Sequence, residues 1–328
     1  GQYLFPMFVL AIGFSGGFML SASMAALAFA ILVISRKSFV KIGSPIDQIP
    51  VSVKSWTAFS LLSLAMIGLV FFMFSNMDVG QNVVYAIGAV AIIYFISLMF
   101  KANRIDTLRM GTILIMTVLT TAFFVYYGQM MTSMTLVTIN TMRGDLFGFI
   151  PIAPEAAMSM NPLWCMVAGP VIAFIFTSLE KRNIHLSTAT KVAFSFVLTA
   201  IAFGILTLAV KSIGSDVIIR PEIFLVIHFF QAFAEVIVGS MVVAFILSVA
   251  PKNIENFSVS LFSVSIALSG IIGAVFSTSI ALDKDQQITQ EIVKRVYGGY
   301  FSTLTIWAVV MVVVALLSSV AIRKMLED

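Results

Sequence analysis

Charge is scarce in this 328-residue chain. Asp, Glu, Lys and Arg supply 10% of it, against roughly 25% in soluble domains. That deficit is too large for a surface that faces water. Cysteine occurs once and histidine twice, so the composition leaves no internal disulfide, no Cys/His metal cluster and no nucleophile–base pair. No enzyme motif is visible, and Cys165, inside an apolar run, reads as a small core residue. Stretches rich in Gly, Ser or Pro are missing too, which argues against a soluble domain or a flexible tail. The net charge of +4 is spread over short loops, not gathered into the single patch that nucleic acid would require.

What the chain has in abundance is apolar sequence. Hydrophobic residues make up 60% of it, and mean hydropathy is +1.07. Ten apolar segments can be drawn, at about 1–13, 17–35, 55–75, 82–100, 107–137, 161–179, 189–210, 221–250, 256–282 and 299–322. Most are long enough to cross a hydrocarbon layer of about 30 Å. Backbone polar groups in lipid must be satisfied within each segment, so the expectation is an all-α polytopic membrane protein without β structure. Gly13, Gly16 and Gly17 interrupt what would be one long run, and the spacing predicts two helices with a tight turn. The first of these is too short to span. Residue 1 is Gly and no signal-like segment precedes the first run, which reads as a chain beginning inside a longer protein.

The loops obey a charge asymmetry. If the segment ending at Ile34 exits into the cytoplasm, that side holds 13 of the 19 basic residues, including Arg36, Lys37, Lys41, Lys54, Lys101 and Arg104. The opposite side holds Arg143, Lys211, Arg220, Lys284, Lys294 and Arg295. The positive-inside rule therefore puts the C-terminus in the cytoplasm.

Fourteen of the fifteen acidic residues lie in loops, at helix ends or at the C-terminus; Glu235 is the exception. A charge at mid-membrane depth costs about 2.5–3.5 kcal/mol on insertion scales and usually faces a cavity or a partner. Such a carboxylate suits proton carriage or amine binding; a protonated Glu bonded to a neighbouring helix is the plainer reading. His228 and Gln231 precede it by seven and four residues, so the three share one helical face. His228 is closer to the outer end and reads equally well as an interfacial histidine. Gln129 is a mid-helix amide that can bond another helix or a ligand. Asn161 and Pro162 open the next helix, where local rules favour Asn161 as a cap.

Several runs resemble the proton-dependent oligopeptide transporter family of the major facilitator superfamily. Tyr127-Gly128-Gln129-Met130-Met131-Thr132-Ser133 is similar to the family's Y-x-Q-x-x-(S/T)-S element in the seventh core helix. Ser159-Met160-Asn161-Pro162-Leu163 follows at the separation of its S-L-N-P-L element. Ala234-Glu235 with Ser240 resembles the G-E-x-x-x-S-P region of the tenth helix, and Ser187-Thr188 with Lys191 the S-T-x-x-K before the ninth. Arg36-Lys37 and Ile42-Gly43-Ser44-Pro45 look like the segment leaving the sixth.

The resemblance implies a partial major facilitator fold, running from late in the fifth core helix to the C-terminus. Residues 1–35 would end the N-terminal bundle, 36–54 form a cytoplasmic linker, 55–106 an extra helix pair, and 107–328 the C-terminal six-helix bundle. It also implies a bacterial inner-membrane symporter of di- and tripeptides, with the proton as coupling ion and no other cofactor. Its partners would be the peptide, the lipid bilayer and the N-terminal helices of the same protein. By the same comparison Glu235 meets the peptide amino terminus, Asn161 hydrogen-bonds the peptide, and Gln129 shapes the cavity; Tyr127 and Gln231 join the candidate set. The family's first-helix E-x-x-E-R motif and fourth-helix lysine would lie upstream of residue 1. Three places depart from the pattern: Gly128 stands where many members carry glutamate, Gly239-Ser240 where they carry Ser-Pro, and Leu261 where they carry tryptophan. Another small polar solute, such as an amino acid, drug or nitrate, is therefore an alternative cargo, and a transport-dead scaffold or receptor an alternative class.

Overall fold

The structure, a computed structural model, describes residues 4–39, 49–283 and 286–327. Lys41, the Ile42-Gly43-Ser44-Pro45 run and Lys284 lie outside the described residues. The helices are α1 (Leu4–Phe39), α2 (Val53–Ser75), α3 (Met77–Met99), α4 (Arg104–Met131), α5 (Ser133–Thr141), α6 (Met160–Lys181), α7 (Thr188–Lys211), α8 (Pro221–Val249), α9 (Glu255–Thr278) and α10 (Gln290–Glu327). Among the described residues nine helical stretches are long and apolar enough to cross a bilayer. The ten-segment expectation differs at the start. The first two segments form one element, α1, interrupted at Gly13, whose φ of 73° and ψ of 170° no helix contains. Gly16 stays helical, and a Cβ on it would meet Ile12 at 2.8 Å. One left-handed glycine thus supplies a break rather than a full turn.

The chain divides into two compact units, one up to Val84 and one from Tyr85 onward. In the first, α2 is capped by Ser52, whose side chain accepts from the Ser55 amide, and none of its residues is buried. A helix apolar on all sides and without a protein core is built for lipid or for contact with another chain segment. Its end is tied by the Asn76 side chain donating to the Phe72 carbonyl at 3.0 Å.

In the second unit the most extensive pairings are α7 with α10, α7 with α8, α4 with α9, and α6 with α8. Lipid tails are as apolar as leucine, so helices associate here through close packing and polar contacts. Along α7 and α10, Ala202, Ala308 and Ala315 are fully buried, and the Thr207 and Thr305 hydroxyls pair at 2.9 Å. Between α9 and α4 the Ser265 hydroxyl donates to the Thr117 carbonyl at 3.1 Å. Local signals set the helix starts: Asn103 accepts from the Asp106 amide at 2.9 Å to cap α4, Ser187 caps α7 through the Thr190 amide, and Pro221 opens α8.

β structure does occur, against expectation, but outside the spanning segments. Asp145–Leu146 (β1) pairs antiparallel with Ile150–Pro151 (β2). The requirement for internal bonding applies in hydrocarbon; in a loop the backbone also has water. The hairpin is anchored at both ends. Arg143 donates to both oxygens of Asp145 at 2.6 Å, and the Phe147 amide donates to Glu222 at 2.6 Å. The Arg143 bonds hold the exposed Asp145 carboxyl below the usual carboxylate range, so this pair persists at neutral pH and loosens only as pH falls through that lowered value.

Candidate functional site

Glu235 sits midway along α8, half-buried. The other apolar positions of α8 pack against α7, α6, α4 and α9, and this packing holds the carboxylate at a fixed height. From α6 the Asn161 Nδ2 donates to Glu235 Oε2 at 2.7 Å. One turn further along the same helix, the Cys165 Sγ lies 3.5 Å from that oxygen. From α4 the Tyr127 hydroxyl interacts with the same carboxylate. Three helices thus converge on one acid, each contributing a polar group. Both contacts from α6 fall on Oε2, and the residue as a whole is only half-buried.

The capping role that local rules favour for Asn161 is not realised. Its helix begins at Met160, with Ser159 at the cap position and no side-chain capping bond. Asn161 is 3% exposed, and its Oδ1 has no partner among the described residues. Cys165, read from sequence as simple packing, instead touches the acid; nothing in its apolar surroundings signals this.

Gln129 is placed elsewhere. It is fully buried, and its Nε2 donates across to the Gly273 carbonyl of α9 at 3.0 Å. Its Oε1 accepts from the Ser133 hydroxyl of α5 and the Tyr300 hydroxyl of α10, both at 2.5 Å. The amide's bonding is spent on joining helices, which is the structural side of the sequence reading. Glycine makes the join possible: a Cβ on Gly273 would meet Gln129 Nε2 at 3.1 Å, whereas one on Gly128 would meet nothing within 4 Å. Between α4 and α5 the chain breaks at Thr132 (φ −115°, ψ −76°), whose hydroxyl bonds the Gly128 carbonyl at 2.9 Å. Beyond the break, Asn140 donates to the Tyr297 hydroxyl at 2.6 Å. Tyr297 and Tyr300 were invisible as site residues in the sequence because their partners lie more than 150 positions away.

Gln231 shares the α8 face with Glu235 and is 1% exposed, its Oε1 without a partner among the described residues. His228 is fully buried, and both ring nitrogens lack a partner among the described residues. The interfacial reading of His228 is therefore corrected: packing of α8 on its neighbours encloses the ring, although it lies only two turns from the helix start. A buried polar group left without a partner costs about 1–3 kcal/mol. Nearby, Trp164 Nε1 donates to the Leu225 carbonyl at 2.9 Å and its ring stands edge-on to Phe229 at 5.0 Å, pinning the first turns of α6 to those of α8.

These elements define a polytopic helical membrane protein with the major facilitator fold and a polar centre inside its C-terminal helices. The likeness to solved structures shows the same fold. A bacterial homologue of the human drug peptide transporters PepT1 and PepT2 superposes with a TM-score of 0.79 at 24% identity, covering 99% of this chain and 68% of that one. A peptide transporter POT in complex with sulfate gives 0.76 at 18% identity, covering 100% and 66%. The sequence model of the POT family matches residues 3–292; the chain belongs to this family. Among curated relatives, dipeptide and tripeptide permease B of Xenorhabdus bovienii is 24% identical over 291 residues, 87% of this chain and 59% of that protein. The permease B of Yersinia enterocolitica is 26% identical over 293 residues, again 87% and 59%. The chain thus spans about three fifths of the length of these relatives.

Proposed function

We propose that the chain forms the larger part of a proton-coupled symporter that imports di- and tripeptides by alternating access, in a bacterial inner membrane with the C-terminus cytoplasmic. Residues 107–328 are its C-terminal six-helix bundle, 55–106 an additional helix pair, 36–54 a linker, and 1–35 the end of the N-terminal bundle. Glu235 receives the α-ammonium of the peptide, Asn161 holds that carboxylate and offers its free Oδ1 to the peptide, and Tyr127 and Gln231 line the approach. Gln129 positions α4 against α9 and α10. Protonation and peptide binding bias the rocking of one six-helix half against the other around this mid-membrane site.

The observation that carries the reading is the convergence of Asn161, Cys165 and Tyr127 on a lone carboxylate in the middle of an apolar helix. Permease names among the relatives and family membership support it. The test is Glu235→Gln in the intact protein. Loss of one hydrogen bond to a charged group is worth about 1.5–3 kcal/mol, so peptide affinity should fall on the order of 10- to 100-fold. Normal uptake and affinity would remove Glu235 from the site. A second cargo class is favoured by one feature, the open space at Gly128. Competing unlabelled amino acids and anions against a labelled dipeptide in the same assay separates the two.

A further inference from the structure

We propose that His228 and Gln231 form an internal hydrated relay on α8 that passes protons between the outer end of the bundle and Glu235. The inference rests on the transport reading above and adds to it a proton path within the C-terminal helices.

Three buried polar atoms on one helical face have no protein partner among the described residues: both ring nitrogens of His228 and Oε1 of Gln231. The other buried glutamine of the bundle, Gln129, is bonded at both ends; besides the three atoms on α8, Thr120 Oγ1 and Asn161 Oδ1 are the buried side-chain atoms without a partner among the described residues. His228 is 0% exposed and Gln231 1%, which means the surrounding helices already close around them. Whatever pairs with these atoms is small, and ordered water is the usual partner of buried polar groups in that position.

The spacing suits a file of water. Offsets of three and four residues place Gln231 about 4.5 Å below His228, and Glu235 about 6 Å below Gln231, along the helix axis. Gaps of that size are bridged by one or two water molecules, with the Gln231 carbonyl accepting between them. Imidazole is suited to the work because one ring nitrogen takes up a proton while the other releases one. In the relay step an N–H bond of the imidazolium breaks and an O–H bond of water forms. That water gives up its own proton to the Glu235 carboxylate, directly or through the next water. The net change is one proton moved, leaving neutral imidazole and neutral carboxylic acid, with no change of oxidation state.

The elements packed against α8 leave Glu235 as the destination. Within their spans they bring only Tyr126 and Tyr127 on α4 and Cys165 on α6 as further titratable groups. α7 carries Lys191 and Lys211 and α9 carries Glu255, all at helix ends, and α4 and α6 have Arg104, Asp106, Arg109, Glu180 and Lys181 at theirs. At the outer end β1 and the 3-10 turn Pro154–Ser159 contribute Asp145 and Glu155, beside Glu222 of α8 itself.

The intact protein in proteoliposomes tests this with labelled dialanine. Uptake driven by an imposed proton gradient and gradient-free exchange for unlabelled dialanine are measured side by side. His228→Gln keeps a hydrogen-bonding side chain but cannot carry the proton. It should lower driven uptake at least about tenfold, below the usual effect of removing a positioned proton carrier, while exchange stays within about twofold. Unchanged driven uptake, or an equal fall in both, overturns the relay. If that variant does not fold, His228→Asn must show the same selective loss, and its absence also overturns the proposal. A wild-type protein that neither accumulates nor exchanges dialanine overturns the transport reading itself, an outcome distinct from a wild type whose variants simply behave like it.

Discussion

Removing the Gln129 side chain would take away three hydrogen bonds at once, to the Gly273 carbonyl and from the Ser133 and Tyr300 hydroxyls, leaving those two hydroxyls only their 3.2 Å bond to each other. Gln129→Leu is therefore expected to destabilise the purified protein by about 2–3 kcal/mol, whereas Tyr300→Phe, which leaves Ser133 on the same oxygen, should cost about 1 kcal/mol. Thermal unfolding in detergent or lipid compares the two, and equal losses would contradict the bonding described. At this scale the sequence was informative where an energetic anomaly is local. A carboxylate in the middle of an apolar helix announces itself from the residues on either side of it. Of the partners of Gln129 only Ser133 is near in sequence; the other two are illegible, because those bonds join residues 144 and 171 positions apart. The enclosure of His228 was hidden for the same reason: periodicity gives a residue's face and depth but not which helices close over it.

At the scale of elements, two glycines on the α4–α9 crossing should respond oppositely to substitution. Nothing stands within 4 Å of a Cβ on Gly128, so Gly128→Ala should raise stability by about 0.5–1 kcal/mol through lower backbone entropy in the unfolded chain. Gly273 presses on the Gln129 amide and the Val125 carbonyl; Gly273→Leu should push α9 off α4, cost more than 2 kcal/mol and break the Gln129 bond. Melting temperatures of the two variants check the sign of each. Helix existence was readable from apolar run length, and most spans from 53 onward fall close to the drawn segments; α10 starts nine residues before the drawn 299–322, because its first turns carry polar residues that an apolar run does not register. The break at Thr132 was not readable, since Thr-Ser within an apolar run carries no breaker signal. The loop hairpin was missed because a rule about hydrocarbon was extended to a segment outside it.

For the whole molecule, the all-α membrane class was legible from composition, and the major facilitator fold and the family from paired motifs whose spacing survives at about a quarter identity. The orientation assigned from basic loops makes a direct prediction. In the intact protein an alkaline phosphatase fusion within 212–220 should be active, on the outer side, and one within 182–187 inactive. The reverse pattern would invert the topology.

The tethers on α10 have a mechanical meaning. Tyr297 and Tyr300 are one turn apart on a continuous helix of 38 residues, about 57 Å long at 1.5 Å per residue. One grips Asn140 beyond the break at Thr132, and the other grips Gln129 before it. α10 therefore acts as a splint across a fractured rod: the two pieces of α4–α5 can flex at Thr132 but cannot slide past each other without releasing a tyrosine. Bending at Thr132 is cheap while shear is not, and a long stiff splint carries whatever bend occurs there toward the other end of α10.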